Sequence, residues 1–153
     1  MLLNIFIAIA TFFFMESVAW FAHKYIMHGF LWSWHRSHHT HHNHVLEMND
    51  LFAVVFAVVS VSSFAAGRWL EGFEFMTFIG LGILGYGIFY FTFHDIIVHR
   101  RVKIKFKAQN EYLKRLIKAH YIHHKVHSKE GAEAFGFLYA PKKYEKANVK
   151  EVE

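Results

Sequence analysis

The chain contains 153 residues with a formal net charge of +5, a length that fits one domain and leaves no room for an attached flavin or ferredoxin-like module. It has no cysteine, which excludes disulfides, thiolate-bound zinc and cysteine-held iron–sulfur clusters. Hydrophobic residues account for 54% of the chain, above the roughly 45–50% of ordinary soluble domains.

Three apolar stretches, at about 2–22, 51–70 and 75–93, are long enough to cross a bilayer. We therefore predict an all-α integral membrane protein with about three transmembrane helices, a fourth being left open. The turn between the second and third stretches is short, so these two should form an antiparallel hairpin. Residues 80–85 match G-x-G-x-x-G inside an apolar stretch, where we expect helix packing or space for an apolar ligand rather than dinucleotide binding.

The positive charge falls almost entirely on one side of the predicted membrane. Of the 17 lysines and arginines, Arg68 alone lies in the turn between the second and third spans. The positive-inside rule therefore predicts a cytoplasmic 23–50 loop and a cytoplasmic C-terminal region, with the N-terminus outside. The basic residues are then expected to contact anionic membrane lipids rather than nucleic acid.

After the third span, a further helix is predicted from Glu111, where apolar residues and histidines recur at helical spacing. Pro141 ends the predicted single membrane-embedded domain, residues 1–141. The remaining residues, 142–153, are predicted to form a charged, flexible tail.

Fourteen histidines gather at the edges of the predicted spans. A His-x4-His pair occurs at 23/28 and at 94/99, and a His-x2-His-His-x2-His cluster occurs at 35/38/39/42 and at 120/123/124/127. Neutral imidazole is the commonest metal ligand, so two similar sets predict two metal ions. His41 and His44 are expected to be solvated loop residues rather than ligands.

Helical geometry limits how these histidines can converge. Positions i, i+3 and i+4 fall within about 100° of one another, so the triplets 35/38/39 and 120/123/124 can each meet at one point. Residues five apart point about 140° away from each other on a regular helix. Either the helix loosens after the first histidine of each His-x4-His pair, or the two members bind different metals.

Nitrogen ligands in this number suit iron, zinc, copper or manganese rather than magnesium or calcium. No histidine lies at mid-span, where a haem would need one, and neither haem nor flavin is predicted. Glu16, the acidic residue inside the first span, and Asp95, beside His94, are candidates for holding a ligand histidine. For Glu16, a proton route and a hydrogen bond between helices are the alternatives.

Six segments carry a further pattern around these histidines: HKYIMHG (23–29), WHRSHH (34–39), NDLFAVVFA (49–57), HDIIVH (94–99), YLKRLIKAHYIHH (112–124) and KEGAEAFGFLYAP (129–141). Together they resemble the bacterial β-carotene 3-hydroxylases of the membrane fatty-acid hydroxylase superfamily, over about residues 15–141. The chain departs from that family at HTHHNH (39–44), which is richer in histidine than usual.

The resemblance implies a di-iron enzyme that uses O₂ and two electrons from reduced ferredoxin to hydroxylate carbon 3 of a β-ionone ring. β-Carotene would become β-cryptoxanthin and then zeaxanthin, and 4-keto rings would lead towards astaxanthin. The implied ligands are His23, His28, His35, His38, His39, His94, His99, His120, His123 and His124, with His42 and His127 as further candidates. Zinc can replace iron in the purified protein. The metal site would lie on the cytoplasmic side of a bacterial inner membrane.

A carotenoid would enter from the bilayer through a slot lined by some of Trp20, Trp32, Trp34, Phe89, Tyr90 and Phe93, although each of these also fits an interfacial aromatic belt. One alternative is a fatty-acid or sterol hydroxylase or desaturase of the same superfamily. Another is a histidine-rich membrane metal transporter or sensor, but a transporter should place its ligands at mid-membrane.

Overall fold

The computed structural model describes residues 1–40 and 46–146, and this part of the chain is helical, without strands. Its helices are α1 (Leu2–Phe21), α2 (Trp32–His35), α3 (Asp50–Trp69), α4 (Met76–Tyr90) and α5 (Glu111–His124). α1 continues into a first π-helix, Ala22–Phe30, and α4 into a second π-helix, Phe91–Val98. Short 3₁₀ segments follow α2 at Arg36–His39 and close the described chain at Lys142–Lys146.

Three of these helices are long and apolar enough to cross a membrane within the described residues: Leu2–Phe30, Asp50–Trp69 and Met76–Val98. The predicted all-α fold with three spans is confirmed. The first and third spans run several residues past their predicted ends because the backbone continues as a π-helix where the hydrophobic run gives way to histidine.

Small residues bring the three spans into close contact. A β-carbon at Gly80 would lie 3.1 Å from the Ser60 carbonyl oxygen on α3, and the Ser60 hydroxyl donates to the Gly80 carbonyl at 3.0 Å. A β-carbon at Gly82 would lie 2.6 Å from the Ala8 carbonyl oxygen on α1. These glycines therefore allow helix packing, as predicted, because any side chain would push the backbones apart.

The helix directions place the histidine-bearing segments of the described residues at one end of the bundle. α3 and α4 are antiparallel neighbours joined by a tight turn, and α1 packs along α4 in the same direction. The ends of α1 and α4 therefore meet the start of α3. α5 covers this end, with Leu116 and Ala119 in the same buried cluster as Met15 and Tyr86 of the spans.

Packing continues beyond Pro141, where the flexible tail was predicted to begin. Residues Lys142–Lys146 form a 3₁₀ turn against α5, and Tyr144 is only 3% exposed. Arg115 of α5 pairs with Glu145. An aromatic ring and an ion pair thus fix these five residues, and the rest of the predicted tail, 147–153, lies outside the described residues.

Candidate metal centre

The ten histidines predicted as ligands come together in two adjacent groups. The first group contains His23, His28, His35, His39 and His123. The second group contains His38, His94, His99, His120 and His124. Within each group, one ring nitrogen from every member lies within 4.8 Å of the others. Eight of the ten residues are buried, and the other two, His99 and His124, are half-buried.

The π-helices explain how both His-x4-His pairs reach a common point. His23 and His28 lie in the first π-helix, and His94 and His99 lie at the second, where the His99 N–H donates to the His94 carbonyl at 2.9 Å. A bond from residue i to residue i+5 brings side chains five positions apart onto one side of the helix. Of the two alternatives left by the sequence, the loosened helix is the one found.

The two histidine triplets, by contrast, do not each converge on one point, contrary to the prediction. On α5, His120 and His124 join the second group, whereas His123 joins the first. Positions i and i+4 share a helix face, but i+3 and i+4 are about 100° apart and here point to different targets. The 35/38/39 triplet divides in the same way, with His38 in the second group. Each group therefore takes four histidines from one half of the chain and one from the other.

Every histidine of the first group donates a hydrogen bond from Nδ1. His35 donates to the Asn49 side-chain oxygen at 2.7 Å. The other four, His23, His28, His39 and His123, donate to the backbone carbonyls of Phe135, Lys129, Val126 and Glu133 at 3.0, 3.0, 2.8 and 2.8 Å. These bonds orient the rings and leave each Nε2 with a free lone pair.

Carboxylates take the place of carbonyls in the second group. His38 donates from Nδ1 to Glu47 Oε1 at 2.9 Å, and His94 donates from Nδ1 to Asp95 Oδ1 at 3.0 Å. Arg101 forms ion pairs with both of these carboxylates. The second group therefore lies in a more negative environment than the first.

The Nε2 atoms face one another across each group. The pairs His23–His35, His35–His39, His28–His123 and His38–His94 are separated by 3.1, 3.1, 3.2 and 2.9 Å. Because Nδ1 carries the proton in these rings, both Nε2 atoms of a pair hold lone pairs and cannot hydrogen-bond to each other. A cation held by both rings would replace this repulsion with attraction. The donor set fits a transition-metal ion at each group and is consistent with a metal centre.

Two more nitrogens support the same conclusion. His120 Nδ1 and His124 Nε2 are buried and have no hydrogen-bond partner in the described part of the chain. A buried polar atom without a partner is costly, and a metal bond to that nitrogen would relieve the cost.

Burial also keeps the histidines outside the spans unprotonated. Desolvation lowers the pKa of His35 to about 3, against the opposing effect of its hydrogen bond to Asn49. Desolvation lowers the pKa of His39 and of His99 to about 4, with the charge of Arg101 adding to the effect at His99. At neutral pH these rings are therefore neutral and able to act as ligands.

An apolar cavity of about 370 Å³ lies beside the second group, between α1, α3 and α4. Tyr90 lines it and stacks on His94 with the ring centroids 4.5 Å apart. Phe137, also in its wall, has its ring 5.5 Å from that of His94 and 5.7 Å from that of His23. At the outer edge, Ile88 and Phe91 are 60% and 51% exposed. The cavity therefore runs from the apolar outer face of the bundle to Tyr90 and Phe137, which separate it from His94 and His23.

Comparisons with known proteins identify the family to which the chain belongs. A model of the fatty acid hydroxylase family matches residues 8–140. A β-carotene hydroxylase of Pseudescherichia vulneris is 47% identical over 142 residues, covering 93% of this chain and 80% of that protein. The chain belongs to the fatty acid hydroxylase family.

More distant members of the family also align with this hydroxylase. A β-carotene hydroxylase of Paracoccus sp. (strain N81106 / MBIC 01143) is 42% identical over 139 residues, covering 90% of this chain and 85% of its own. The chloroplastic β-carotene 3-hydroxylase 1 of Arabidopsis thaliana is 35% identical over 133 residues, covering 86% of this chain and 42% of that protein. No solved structure matches the chain. Membership makes the protein an oxidising enzyme that performs hydroxylation.

Of the two acidic residues predicted to hold a ligand histidine, Asp95 contacts one and Glu16 has other partners. Asp95 contacts His94, the neighbour from which its role was predicted. Glu16 instead accepts hydrogen bonds from the backbone N–H groups of Phe137 and Leu138, each at 2.8 Å, and from the Tyr86 hydroxyl at 2.7 Å. These hydrogen bonds join Glu16 to α4 and to the segment after α5 rather than to a histidine, so Glu16 acts one step further from the groups than predicted.

The remaining histidine candidates lie apart from the two groups. His127 is exposed and belongs to neither group. His42, predicted as a further candidate, and the solvated pair His41 and His44 lie outside the described residues.

Of the six aromatic residues predicted to line a substrate slot, all of them described, Tyr90 is the one that lines the cavity. Trp32 packs against His28 and His39, and Trp34 packs against Phe52 of the cavity wall. The other three lie elsewhere, in contacts with neighbouring aromatic rings: Trp20, Phe89 and Phe93. The cavity wall combines small and aliphatic residues of α3 and α4 with six aromatic residues, of which only Tyr90 was predicted: Phe52, Phe56, Tyr86, Tyr90, Phe91 and Phe137.

Sequence reasoning missed the side chains that hold the histidines. Glu47 and Asn49 precede the second span, and Arg101 belongs to a basic run. The acidic and amide residues directly after a histidine-rich loop were a usable signal, because ligand histidines usually donate to such groups. Nothing in the sequence distinguishes Arg101 from the basic residues around it.

Proposed function

We propose that this hydroxylase acts on carotenoids, converting the β-ionone ring of β-carotene to its 3-hydroxy form through β-cryptoxanthin to zeaxanthin. In each turnover, one oxygen atom of O₂ enters a ring C–H bond and the other leaves as water, with two electrons and two protons consumed. The carrying observation is the pair of histidine groups, with Nε2 lone pairs facing inward, beside an apolar cavity that opens on the membrane face. The names of the curated bacterial relatives give the substrate class.

Two iron ions are the proposed cofactor, one held by each histidine group, with zinc able to occupy the same sites in purified protein. Bound there, iron would supply the O₂ activation and electron transfer that an unactivated C–H bond requires. The protein itself keeps the imidazoles neutral and fixes their orientation through the Nδ1 hydrogen bonds. Burial of the groups limits access of water to the reaction.

The cavity supports a long apolar substrate that approaches from the bilayer. Its volume of about 370 Å³ is near the lower end of the range of about 300–1,000 Å³ typical of ligand pockets. One ring and part of the polyene would fit, while the rest of the molecule would stay among the lipids. Acceptance of 4-keto rings, which would lead towards astaxanthin, depends on the cavity wall next to the histidines, which includes Tyr90 and Phe137.

The metal groups are proposed to lie on the cytoplasmic side of a bacterial inner membrane, with the N-terminus outside. The distribution of lysine and arginine supports this orientation, because Arg68 is alone at the end of the bundle opposite the histidines. Reduced ferredoxin, a soluble electron donor, would then reach the enzyme from the cytoplasm.

Expression in a bacterium that accumulates β-carotene tests the proposal. Pigment extracts should gain mono- and dihydroxylated products with the unaltered chain, and His94→Ala should abolish them because a predicted ligand is lost. His127→Ala is the matched control, since the exposed His127 lies outside both groups and conversion should persist. Unchanged β-carotene, despite membrane expression and supplied iron and ferredoxin, would contradict the proposal.

The family's name favours fatty acids as the second candidate substrate. Lipid extracts from the same cells test it, because hydroxylated fatty acids without hydroxylated carotenoids would favour this alternative. A metal transporter is supported less well, since all ten grouped histidines lie at one end of the bundle.

A further inference from the structure

Arg101 lies at the centre of a cluster of carboxylates beside the second histidine group. Its guanidinium forms ion pairs with Glu47, with Asp50 at 2.8 Å and with Asp95 at 3.4 Å. These acids come from two distant parts of the chain, the start of α3 and the end of the third span. One side chain therefore joins two segments that are distant in the sequence.

Two of the three carboxylates hold histidines through the same oxygen atoms that Arg101 contacts. Glu47 Oε1 accepts from His38 Nδ1 at 2.9 Å, and Asp95 Oδ1 accepts from His94 Nδ1 at 3.0 Å. His38 and His94 are also the pair whose Nε2 atoms lie 2.9 Å apart. Displacement of Arg101 would therefore remove the guanidinium that both carboxylates share, and with it a constraint on the rings that they orient.

The first group has no such dependence on a cation. Four of its histidines donate to backbone carbonyls and the fifth to an amide oxygen, and none of these acceptors is charged. The two groups thus use the same ligand atoms but different supports. Loss of Arg101 should act on one group and spare the other.

The local backbone directs Arg101 towards these acids. Arg100 adopts a left-handed conformation with φ of 52°, and the Arg101 N–H donates to the Asp95 carbonyl at 2.9 Å. The chain therefore turns back sharply after the third span. Arginine suits this position because its planar fork can bond several carboxylates at once, which a lysine ammonium does less well.

We propose that Arg101 is a positioning residue for metal binding at the second histidine group, acting through Glu47 and Asp95. The inference rests on the proposed function, since it requires the histidines to bind metal. Around this group the three carboxylates outnumber the one guanidinium, which favours a bound cation. Arg101 prevents the acids from repelling one another, and it holds them in the arrangement that orients His38 and His94.

Metal analysis of purified Arg101→Met protein tests this inference. The unaltered protein should bind about two metal ions per chain, whereas the variant should keep about one, because loss of a supporting residue weakens metal binding roughly 10- to 100-fold. Arg115→Met is the matched control, as Arg115 pairs with Glu145 away from both groups and both ions should remain. Arg101→Lys, which keeps the charge but not the fork, should give an intermediate ratio.

The iron-57 Mössbauer spectrum adds a readout that general loss of folding would not produce. Arg101→Met should lose the contribution of one iron and keep that of the other. Retention of both ions in Arg101→Met, or equal loss from both groups in folded protein, would overturn the inference while leaving the proposed function intact. If Arg101→Met is not recovered folded, full occupancy in Arg101→Lys overturns it. Unaltered protein without metal would overturn the proposed function and this inference together.

Discussion

At the scale of single residues, the histidines outside the spans combine deep burial with neutrality. His35, His39 and His99 have their pKa lowered from 6.5 to about 3, 4 and 4, first of all by desolvation. Each ring then presents a lone pair from a site that charge would otherwise destabilise. Because burial makes the protonated imidazole unfavourable, these rings stay neutral and can bind a metal ion.

This burial predicts how the metal-free protein responds to acid. The unfolded chain binds a proton at these histidines below about pH 6.5, whereas the folded chain resists protonation down to about pH 4. Stability should consequently fall as the pH drops through this window, by up to about 1.4 kcal/mol per pH unit for each such histidine. Thermal unfolding in detergent at pH 7.5, 6 and 5 measures this fall.

The exposed His127 provides the control for the acid experiment. His127→Ala should unfold at about the same temperature as the unaltered protein at each pH, because the exposed His127 belongs to neither group. An unfolding temperature that stays constant between pH 7.5 and pH 5 would contradict the burial described here.

At the scale of elements, Glu16 fastens the segment after α5 to the first span. Its carboxylate accepts from the Phe137 and Leu138 N–H groups and from the Tyr86 hydroxyl of α4. The same segment supplies the Phe135 and Glu133 carbonyls that orient two histidines of the first group. One carboxylate inside a span therefore supports ligands that lie on other elements.

Replacement of this carboxylate should loosen that attachment. Glu16→Leu would leave three donors without an acceptor, and we expect it to lower the free energy of unfolding by about 2–4 kcal/mol. Glu16→Gln keeps one carbonyl acceptor and should cost less. Thermal unfolding in detergent measures both, with Glu71→Leu in the exposed turn between α3 and α4 as the control. Equal stability of Glu16→Leu and the unaltered protein would show that the segment is held by other contacts.

The elements also show where sequence reasoning ends. Hydropathy located three spans because a membrane helix requires a long apolar run. Histidine spacing predicted two similar sets, and the family resemblance implied the ten residues that the structure groups. Regular α-helical geometry could not decide whether the two histidines of each His-x4-His pair bind one metal or two, because the answer depends on the π-helices. It allowed each histidine triplet to meet at one point, whereas His38 and His123 each belong to the other group. Their supports are carbonyls and carboxylates from distant segments, which local spacing does not reveal.

At the scale of the whole molecule, each histidine group combines residues from both halves of the chain. Each group takes one histidine from the opposite half, His123 in the first and His38 in the second. Neither half can complete a group alone. Metal binding should therefore hold the first span, which carries His23 and His28, against α5, which carries His123. The apolar cavity ends on Phe137, whose ring contacts histidines of both groups.

The number of metal ions per chain, measured in protein purified from iron-supplied cells, tests this account most directly. The unaltered protein should contain about two ions per chain, and His28→Ala and His94→Ala, one in each group, should each retain about one. The double variant should retain neither. A catalytically active protein with a single ion per chain, or with two ions that both variants retain, would contradict the two-group centre.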